Sequence, residues 1–148
     1  MKWKELQVEK FAGKSLPQVL GRDPDWFYWA GENGVYKGEL LAQAKVLGRR
    51  SRKIKIPTGK VALYFTNPLA NNSFDNFRIE NNSVPKTGNH CVARLEYLDM
   101  YIPRSIKEYD KLGYQNFLQT FKEEFFEGGN LTKKRLEEFW GNPSNFCE

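Results

Sequence analysis

Residues 38–65 read GELLAQAKVLGRRSRKIKIPTGKVALYF, and within this stretch the hydrophobic spacing changes from a helical pattern to a strand pattern. The first half predicts an amphipathic helix from about Lys37 to Arg52, because its apolar residues recur every three or four positions. The apolar residues of this helix are Leu40, Leu41, Ala44 and Leu47.

The second half of the stretch predicts two strands joined by a turn. Ile54 and Ile56 alternate with lysines, which is the two-residue period of a strand with a cationic outer side. A Pro-Thr-Gly turn at 57–59 follows. The apolar residues of the second strand are Val61, Leu63 and Phe65. Further strands are expected at 74–80 and 91–98, separated by polar sequence.

The chain before this stretch predicts a short hairpin over residues 3–16, with Gly13 in its turn, and then a helix that begins at Asp23. Asp23 can cap that helix, and Pro24 suits its first position. Asn33-Gly34 ends it, because both residues tolerate positive φ. The residues expected on its core-facing side are Trp26, Trp29 and Ala30.

The last third of the chain predicts helices. One carries phenylalanines from Phe117 to Phe125 and ends at Gly128-Gly129, and the final one begins at Thr132. Helices and strands do not alternate regularly, so the predicted fold class is α+β. It comprises an N-terminal hairpin and two helices, a small antiparallel sheet, and C-terminal helices. The length of 148 residues indicates a single domain, 1–148.

Positive charge is concentrated between Leu40 and Phe74, where the chain has seven basic residues and no acidic one. The whole chain has 23 Lys and Arg against 18 Asp and Glu, so elsewhere 16 basic residues face 18 acidic ones. A local positive field attracts a polyanion or an acidic protein surface. With a lysine of the N-terminal turn, the candidate binding residues are Lys14, Lys45, Arg49, Arg50, Arg52, Lys53, Lys55 and Lys60.

The same basic residues also have a purely structural interpretation. Arginines in the last turns of a helix complement the partial negative charge of its C-terminus. The sequence leaves both interpretations open. If the five cations from Arg49 to Lys55 all contact phosphates, the log–log salt slope of binding should be about −4 to −5.

The composition and the hydropathy of the chain indicate the cellular compartment that we expect for the protein. No apolar run approaches the ~18 residues of a membrane span, so we expect no membrane partner. The first residues lack the apolar core of a signal peptide. Cys91 and Cys147 are too few for a disulfide framework, and we expect reduced thiols in a cytoplasmic protein. No cofactor is expected.

The sequence favours a protein that is not an enzyme. Its single histidine, His90, and its two cysteines do not have the spacing of a zinc site. A nucleophilic pair would need His90 with Cys147, and we expect Cys147 to be mobile near the end of the chain. The segment 31–34 lacks the lysine of a phosphate-binding loop.

Two segments together resemble a known small domain. Residues 8–16 read VEKFAGKSL and residues 23–30 read DPDWFYWA. They are similar to the exodeoxyribonuclease-X C-terminal-like domains, whose pattern is roughly F-G-K-Y-K-G-K-x-L followed by D-P-x-Y-x-x-W. The matching residues are Gly13, Lys14, Leu16, Asp23, Pro24 and Trp29, and the departures are Val8, Glu9 and Ala12.

The resemblance covers residues 8–34, and later segments resemble uncharacterised bacterial and phage proteins that share this opening. It implies a setting in nucleic-acid metabolism or a mobile element. It implies no catalytic residues, because the exonuclease active site of those enzymes lies in a different domain.

Two functions follow from these observations. The first is a non-catalytic nucleic-acid-binding module of phage or mobile-element type, which uses the basic helix-to-strand segment. The alternative is a phage-type inhibitor that binds a host nucleic-acid-processing or defence complex, as anti-CRISPR proteins do. The partner is thus a nucleic acid or such a host protein, and the sequence predicts no oligomeric state.

Overall fold

The computed structural model describes residues 2–7, 10–67, 73–81 and 91–147, and within them it confirms the α+β fold class. Val8, assigned to the hairpin, and His90 lie outside the described residues. The helices are α1 (Leu16–Arg22), α2 (Pro24–Glu32), α3 (Gly38–Ser51), α4 (Ile102–Lys107), α5 (Lys111–Phe126) and α6 (Lys133–Gly141). The strands are β1 (Ile54–Lys55), β2 (Lys60–Asn67), β3 (Ser73–Asn81), β4 (Cys91–Leu95) and β5 (Tyr97–Leu98).

The N-terminal hairpin takes the form of a narrow loop. One antiparallel bridge joins Glu5 to Ser15, and the amide of Leu6 donates to the carbonyl of Lys14 at 2.9 Å. Helix α1 follows directly and was not predicted. Its start is stabilised by Gln18, whose side-chain oxygen accepts from the amide of Ser15 at 3.0 Å.

Helix α2 begins at the predicted residue but turns a different side to the core. Asp23 caps it by accepting from the amide of Trp26 at 3.3 Å. Phe27 and Ala30 are buried, whereas Trp29 is 42% exposed, so the expectation that Trp29 lies in the core is wrong. Its ring instead packs at the edge of the core against Trp26, with ring centroids 6.1 Å apart.

Helix α3 spans almost the predicted residues, and its buried side includes one polar residue. Leu47 is fully buried, but Leu41, expected in the apolar stripe, is 37% exposed. Gln43 is buried in its place. Its amide nitrogen donates to the carbonyl of Lys2 at 2.9 Å, and its oxygen accepts from the amide of Lys4 at 3.1 Å. These bonds satisfy the polar side chain and attach the N-terminal segment to α3.

The described strands form two antiparallel sheets. β2 lies between β3 and β4 in a three-stranded sheet, and β1 pairs with β5 in a separate two-stranded one. A register shift between Phe65 and Thr66 of β2 leaves Asp75 of β3 unpaired. Because of this bulge, Phe74 and Phe77 both lie in the core.

Strand β2 is buried on both of its faces. The alternating apolar residues that predicted this strand, Val61, Leu63 and Phe65, form a small buried cluster separate from the main core. Their neighbours Ala62 and Tyr64 belong to the main core instead. Apolar residues occupy both faces of β2, so alternation predicts the strand but does not indicate which face meets the main core.

The main core joins residues from both ends of the chain. It includes Leu6 near the N-terminus and Phe146 near the C-terminus, both almost fully buried. Helices α5 and α6 contribute large aromatic side chains, among them Phe121 and Trp140, whose rings stack with centroids 6.3 Å apart. Helix α5 ends as predicted, with φ of +70° at Gly128.

Candidate functional site

Three segments that are distant in sequence meet beside the end of α3. Ile54 of β1 pairs with Leu98 of β5 and, along its opposite edge, with Phe146. The amide of Cys147 donates to the carbonyl of Lys53 at 2.8 Å. The backbone at Cys147 is therefore held in place, contrary to the expectation that it is mobile. β1, which directly follows the end of α3, thus lies between β5 and the C-terminal segment, residues 143–147.

These segments bound a cleft of about 700 Å³, which we call the arginine cleft. Its volume is in the range of sites that bind small molecules. Its lining combines four cationic side chains with aromatic rings, one carboxylate and one thiol. The lining residues are Arg49, Arg50, Arg52, Lys53, Tyr97, Asp99, Pro143, Phe146 and Cys147.

Arg52 is committed to an internal ion pair. Its Nε and Nη2 donate to the Asp99 carboxylate at 3.2–3.3 Å, and its guanidinium lies 4.7 Å from the ring centroid of Tyr101. The hydrogen bonds to Asp99 raise the pKa of Arg52 above its ordinary value. Asp99 therefore offsets one positive charge within the arginine cleft.

Arg50 joins α3 to the C-terminal part of the fold. Its Nη1 donates to the carbonyl of Trp140 at 2.8 Å. The guanidinium lies 5.8 Å from the ring centroid of Phe146. A cation at this distance interacts favourably with an aromatic face. Arg50 thus has a structural role in addition to lining the arginine cleft.

Arg49 and Lys53 have no such commitment. Both are exposed and line the arginine cleft. Within the part of the chain that the structure describes, neither side chain makes a hydrogen bond or an ion pair. The guanidinium of Arg49 and the ammonium group of Lys53 are therefore available to a ligand.

A second cleft, of about 640 Å³, lies beside the same C-terminal segment, and we call it the lysine cleft. Lys55 and Lys60 supply its positive charge, and Glu124 supplies one negative charge. The remaining lining residues are Ile56, Pro57, Thr58, Ile79, Phe125, Phe139, Ser144 and Asn145.

The structure thus brings six of the eight predicted basic residues to two neighbouring clefts. Lys14 and Lys45 line neither of them. Lys14 is exposed in the N-terminal loop. Lys45 lies one turn before Arg49 on α3, so it extends the positive surface along the helix.

Most of the residues that line the arginine cleft opposite the cations were not predicted as site residues. Tyr97 lies within the predicted strand 91–98, Asp99 directly follows it, and residues 143–147 follow the predicted final helix. The one sequence signal for the C-terminal segment is Phe146, a large aromatic residue beyond Gly141 and Pro143. A residue of that kind is more often buried than left in a loose tail.

The described residues contain neither a candidate metal site nor a helix suited to span a membrane. Across residues 2–7, 10–67, 73–81 and 91–147, no three His, Cys, Asp or Glu side chains are placed to hold a metal ion. None of the described helices is long and apolar enough to cross a membrane. Comparison with protein-family models, curated proteins and solved structures found no match to this chain.

Proposed function

We propose that this protein binds nucleic acid without catalysing a reaction on it, and that the arginine cleft is its main contact surface. The observation that carries the proposal is the convergence of four predicted basic residues on one concave surface. Two of them, Arg49 and Lys53, have side chains that are not engaged by other described residues. Positive charge that is exposed and unengaged can pair with phosphate.

The chemistry of the arginine cleft suits a phosphodiester strand. Arg49 can donate two parallel hydrogen bonds to a phosphate, and Lys53 can act as a mobile point charge. Tyr97 is half-buried in the lining and presents an aromatic ring beside these cations. Bases stack on such rings, each with about 1–3 kcal/mol.

The helix-end interpretation accounts for only part of the basic cluster. Within the described structure, Arg50 donates to Trp140 and Arg52 to Asp99, so neither side chain caps a carbonyl of α3. They attach α3 to distant segments instead. Arg49 and Lys53 make no comparable contact; their charge also suits the C-terminal end of α3, but that long-range interaction leaves their hydrogen-bond donors free for a ligand. The resemblance of residues 8–34 to exodeoxyribonuclease-X C-terminal-like domains also supports a nucleic-acid setting.

A gel-shift series tests the proposal with single- and double-stranded DNA and RNA at low salt. The variant Arg49→Glu/Lys53→Glu should bind at least about 10-fold more weakly than the wild type. The matched control is Lys111→Glu/Lys134→Glu, which changes the net charge equally at exposed residues that line neither cleft and are not candidate binding residues. The control should bind within about 3-fold of the wild type. Absence of binding to every oligonucleotide would overturn the proposal.

The inhibitor alternative gives a different result in a pull-down from lysate. The protein is used as bait with and without nuclease treatment of the lysate. Protein partners that disappear with nuclease support nucleic-acid binding. A specific host protein that survives nuclease, together with no oligonucleotide binding, would replace the proposal with the inhibitor function.

A further inference from the structure

The two clefts share the C-terminal segment as a common boundary. Pro143, Phe146 and Cys147 line the arginine cleft, and Ser144 and Asn145 line the lysine cleft. This segment is fixed along the β1 region by the Ile54–Phe146 bridge. The two clefts are therefore adjacent, with a 3-10 turn at Pro143–Asn145 and the extended residue Phe146 between them.

The basic residues continue from one cleft to the other along the chain. Lys53 lines the arginine cleft, and Lys55, two residues later, lines the lysine cleft. Two residues of extended backbone span about 6–7 Å. Neighbouring phosphates of an extended strand lie at a comparable separation, so one strand can meet both lysines.

The shape of the clefts favours a single strand over a duplex. Each cleft has the volume of a small-molecule site, which admits a nucleotide but not the width of a double helix. Aromatic side chains also line both clefts: Tyr97 in the arginine cleft, Phe125 and Phe139 in the lysine cleft. Single-stranded nucleic acid presents its bases to such rings, whereas a duplex keeps its bases paired and stacked.

We infer that the ligand is a single-stranded nucleic acid that occupies both clefts and crosses the C-terminal segment between them. This inference rests on the function proposed above. Arg49 and Lys53 bind the strand on one side of the crossing, and Lys55 and Lys60 bind it on the other. Asp99 and Glu124, one carboxylate in each cleft, limit the net positive charge of the path.

Fluorescence anisotropy tests the path with labelled oligothymidines of about 4 and about 16 nucleotides and a duplex of about 16 base pairs. The variant Lys55→Glu/Lys60→Glu removes the lysine-cleft cations and leaves the arginine cleft unchanged. Both lysines are exposed, so circular dichroism should show an unchanged fold. Lys111→Glu/Lys134→Glu again serves as the control of equal charge.

The wild type should bind the 16-mer at least about 10-fold more tightly than the 4-mer and than the duplex. The affinity of the lysine-cleft variant should fall about 10-fold or more for the 16-mer and less than about 3-fold for the 4-mer. Three results would overturn the two-cleft path while the proposed function stands. They are an equal loss of affinity by the variant for both lengths, no loss of its affinity for the 16-mer, and a preference of the wild type for the duplex. Wild-type protein that binds no oligonucleotide overturns the proposed function itself.

Discussion

Arg50 and Trp140, ninety residues apart in sequence, are joined by a hydrogen bond of 2.8 Å from Nη1 of Arg50 to the carbonyl oxygen of Trp140. Trp140 is fully buried, and the guanidinium of Arg50 also lies against Phe146. A residue from the middle of the basic cluster therefore attaches α3 to α6 and to the C-terminal segment. This contact separates the structural part of the cluster from the part available to a ligand.

Replacing Arg50 should reduce stability, and replacing Arg49 should not. Arg50→Ala removes a charged hydrogen bond and ring packing, so we expect a loss of about 1–3 kcal/mol in the free energy of unfolding. Arg49 is exposed, and its side chain makes no hydrogen bond or ion pair with other described residues. The free energy of unfolding of Arg49→Ala should therefore stay within about 0.5 kcal/mol of the wild-type value. Urea denaturation measures both. Equal stability of the two variants would show that the Arg50 contacts contribute nothing measurable.

The salt dependence of binding should be shallower than the basic residue count indicates. Arg50 and Arg52 are engaged internally, which leaves Arg49, Lys53, Lys55 and Lys60 as the cations available to phosphate. For a single strand, four contacts give a log–log slope of about −3. The slope of about −4 to −5 for the five cations from Arg49 to Lys55 applies to duplex DNA, and on a single strand those five would give about −3.5. Each single Lys or Arg to Gln substitution among the four should reduce the slope by about 0.7. Titrations at several salt concentrations check this, and an unchanged slope would remove that residue from the path.

Removing the carboxylate of the arginine cleft should strengthen binding. Asp99→Asn releases Arg52 from its ion pair and removes one negative charge, so oligothymidine affinity should rise about 3- to 10-fold at low salt. The asparagine oxygen can still accept from the amide of Tyr101, a bond of 2.8 Å in the structure. The fold should therefore persist, because this bond is kept and the Arg52 side chain, 53% exposed, can be solvated by water when the ion pair is lost. Weaker binding by a folded Asp99→Asn protein would contradict the assignment of the arginine cleft.

The link between Asp23 and Tyr114 should make stability depend on pH. Burial raises the pKa of Asp23, but hydrogen bonds from Tyr114, Lys10 and the amide of Trp26 outweigh burial and hold that pKa below its ordinary value. Such a carboxylate stabilises the fold above its unfolded pKa of about 3.9, and this contribution is lost as pH falls through the folded pKa.

Tyr114→Phe should therefore cost about 1–3 kcal/mol near pH 7, because the hydroxyl donates to Asp23 at 2.5 Å. The difference from the wild type should become smaller below about pH 4, as the carboxyl is protonated. Urea denaturation across this pH range provides the measurement. A cost that does not change with pH would show that Tyr114 acts through packing alone.

Two glycines should respond oppositely to alanine. At Gly113 an added Cβ would lie 2.8 Å from Cγ of Asp110 and 2.9 Å from Cβ of Phe74. Asp110 accepts from the amides of both Gly113 and Phe74, so Gly113→Ala disturbs a cap and a link to β3. We expect Gly113→Ala to lower the free energy of unfolding by about 1–3 kcal/mol. At Gly48 of α3 the added Cβ meets no atom within 4 Å. Because alanine favours the helix more than glycine, Gly48→Ala should raise the free energy of unfolding by about 0.5–1 kcal/mol. Thermal denaturation compares the two, and a stabilised Gly113→Ala protein would contradict the close contact.

The short-range features of this protein were predictable from the residues themselves. Asp23 caps α2 because its carboxylate reaches an amide three residues later, and Thr132 caps α6 in the same way. Helix α3 follows from apolar residues spaced by one helical turn. Interactions of this kind depend only on neighbours within about four positions, which the sequence displays directly.

The faces of these elements were less predictable. Trp29 and Leu41 have helical spacing typical of core residues, yet both are partly exposed. In β2 both sets of alternating residues are apolar, and only packing places Tyr64 in the main core and Leu63 in the smaller cluster. The elements packed against a helix or strand decide which of its sides is buried. The residue pattern of that helix or strand does not give the positions of those elements.

The sequence by itself determined the fold class and the concentration of net positive charge in residues 40–74, because both depend on residue type and local spacing. Only the tertiary structure decided which of these charges are available. It paired Arg52 with Asp99, 47 residues away, and Arg50 with the carbonyl of Trp140. It left Arg49 and Lys53 exposed at a cleft whose other wall comes from the C-terminal segment. An ion pair or hydrogen bond forms only between groups within a few ångströms, and chain folding alone brings such distant residues together.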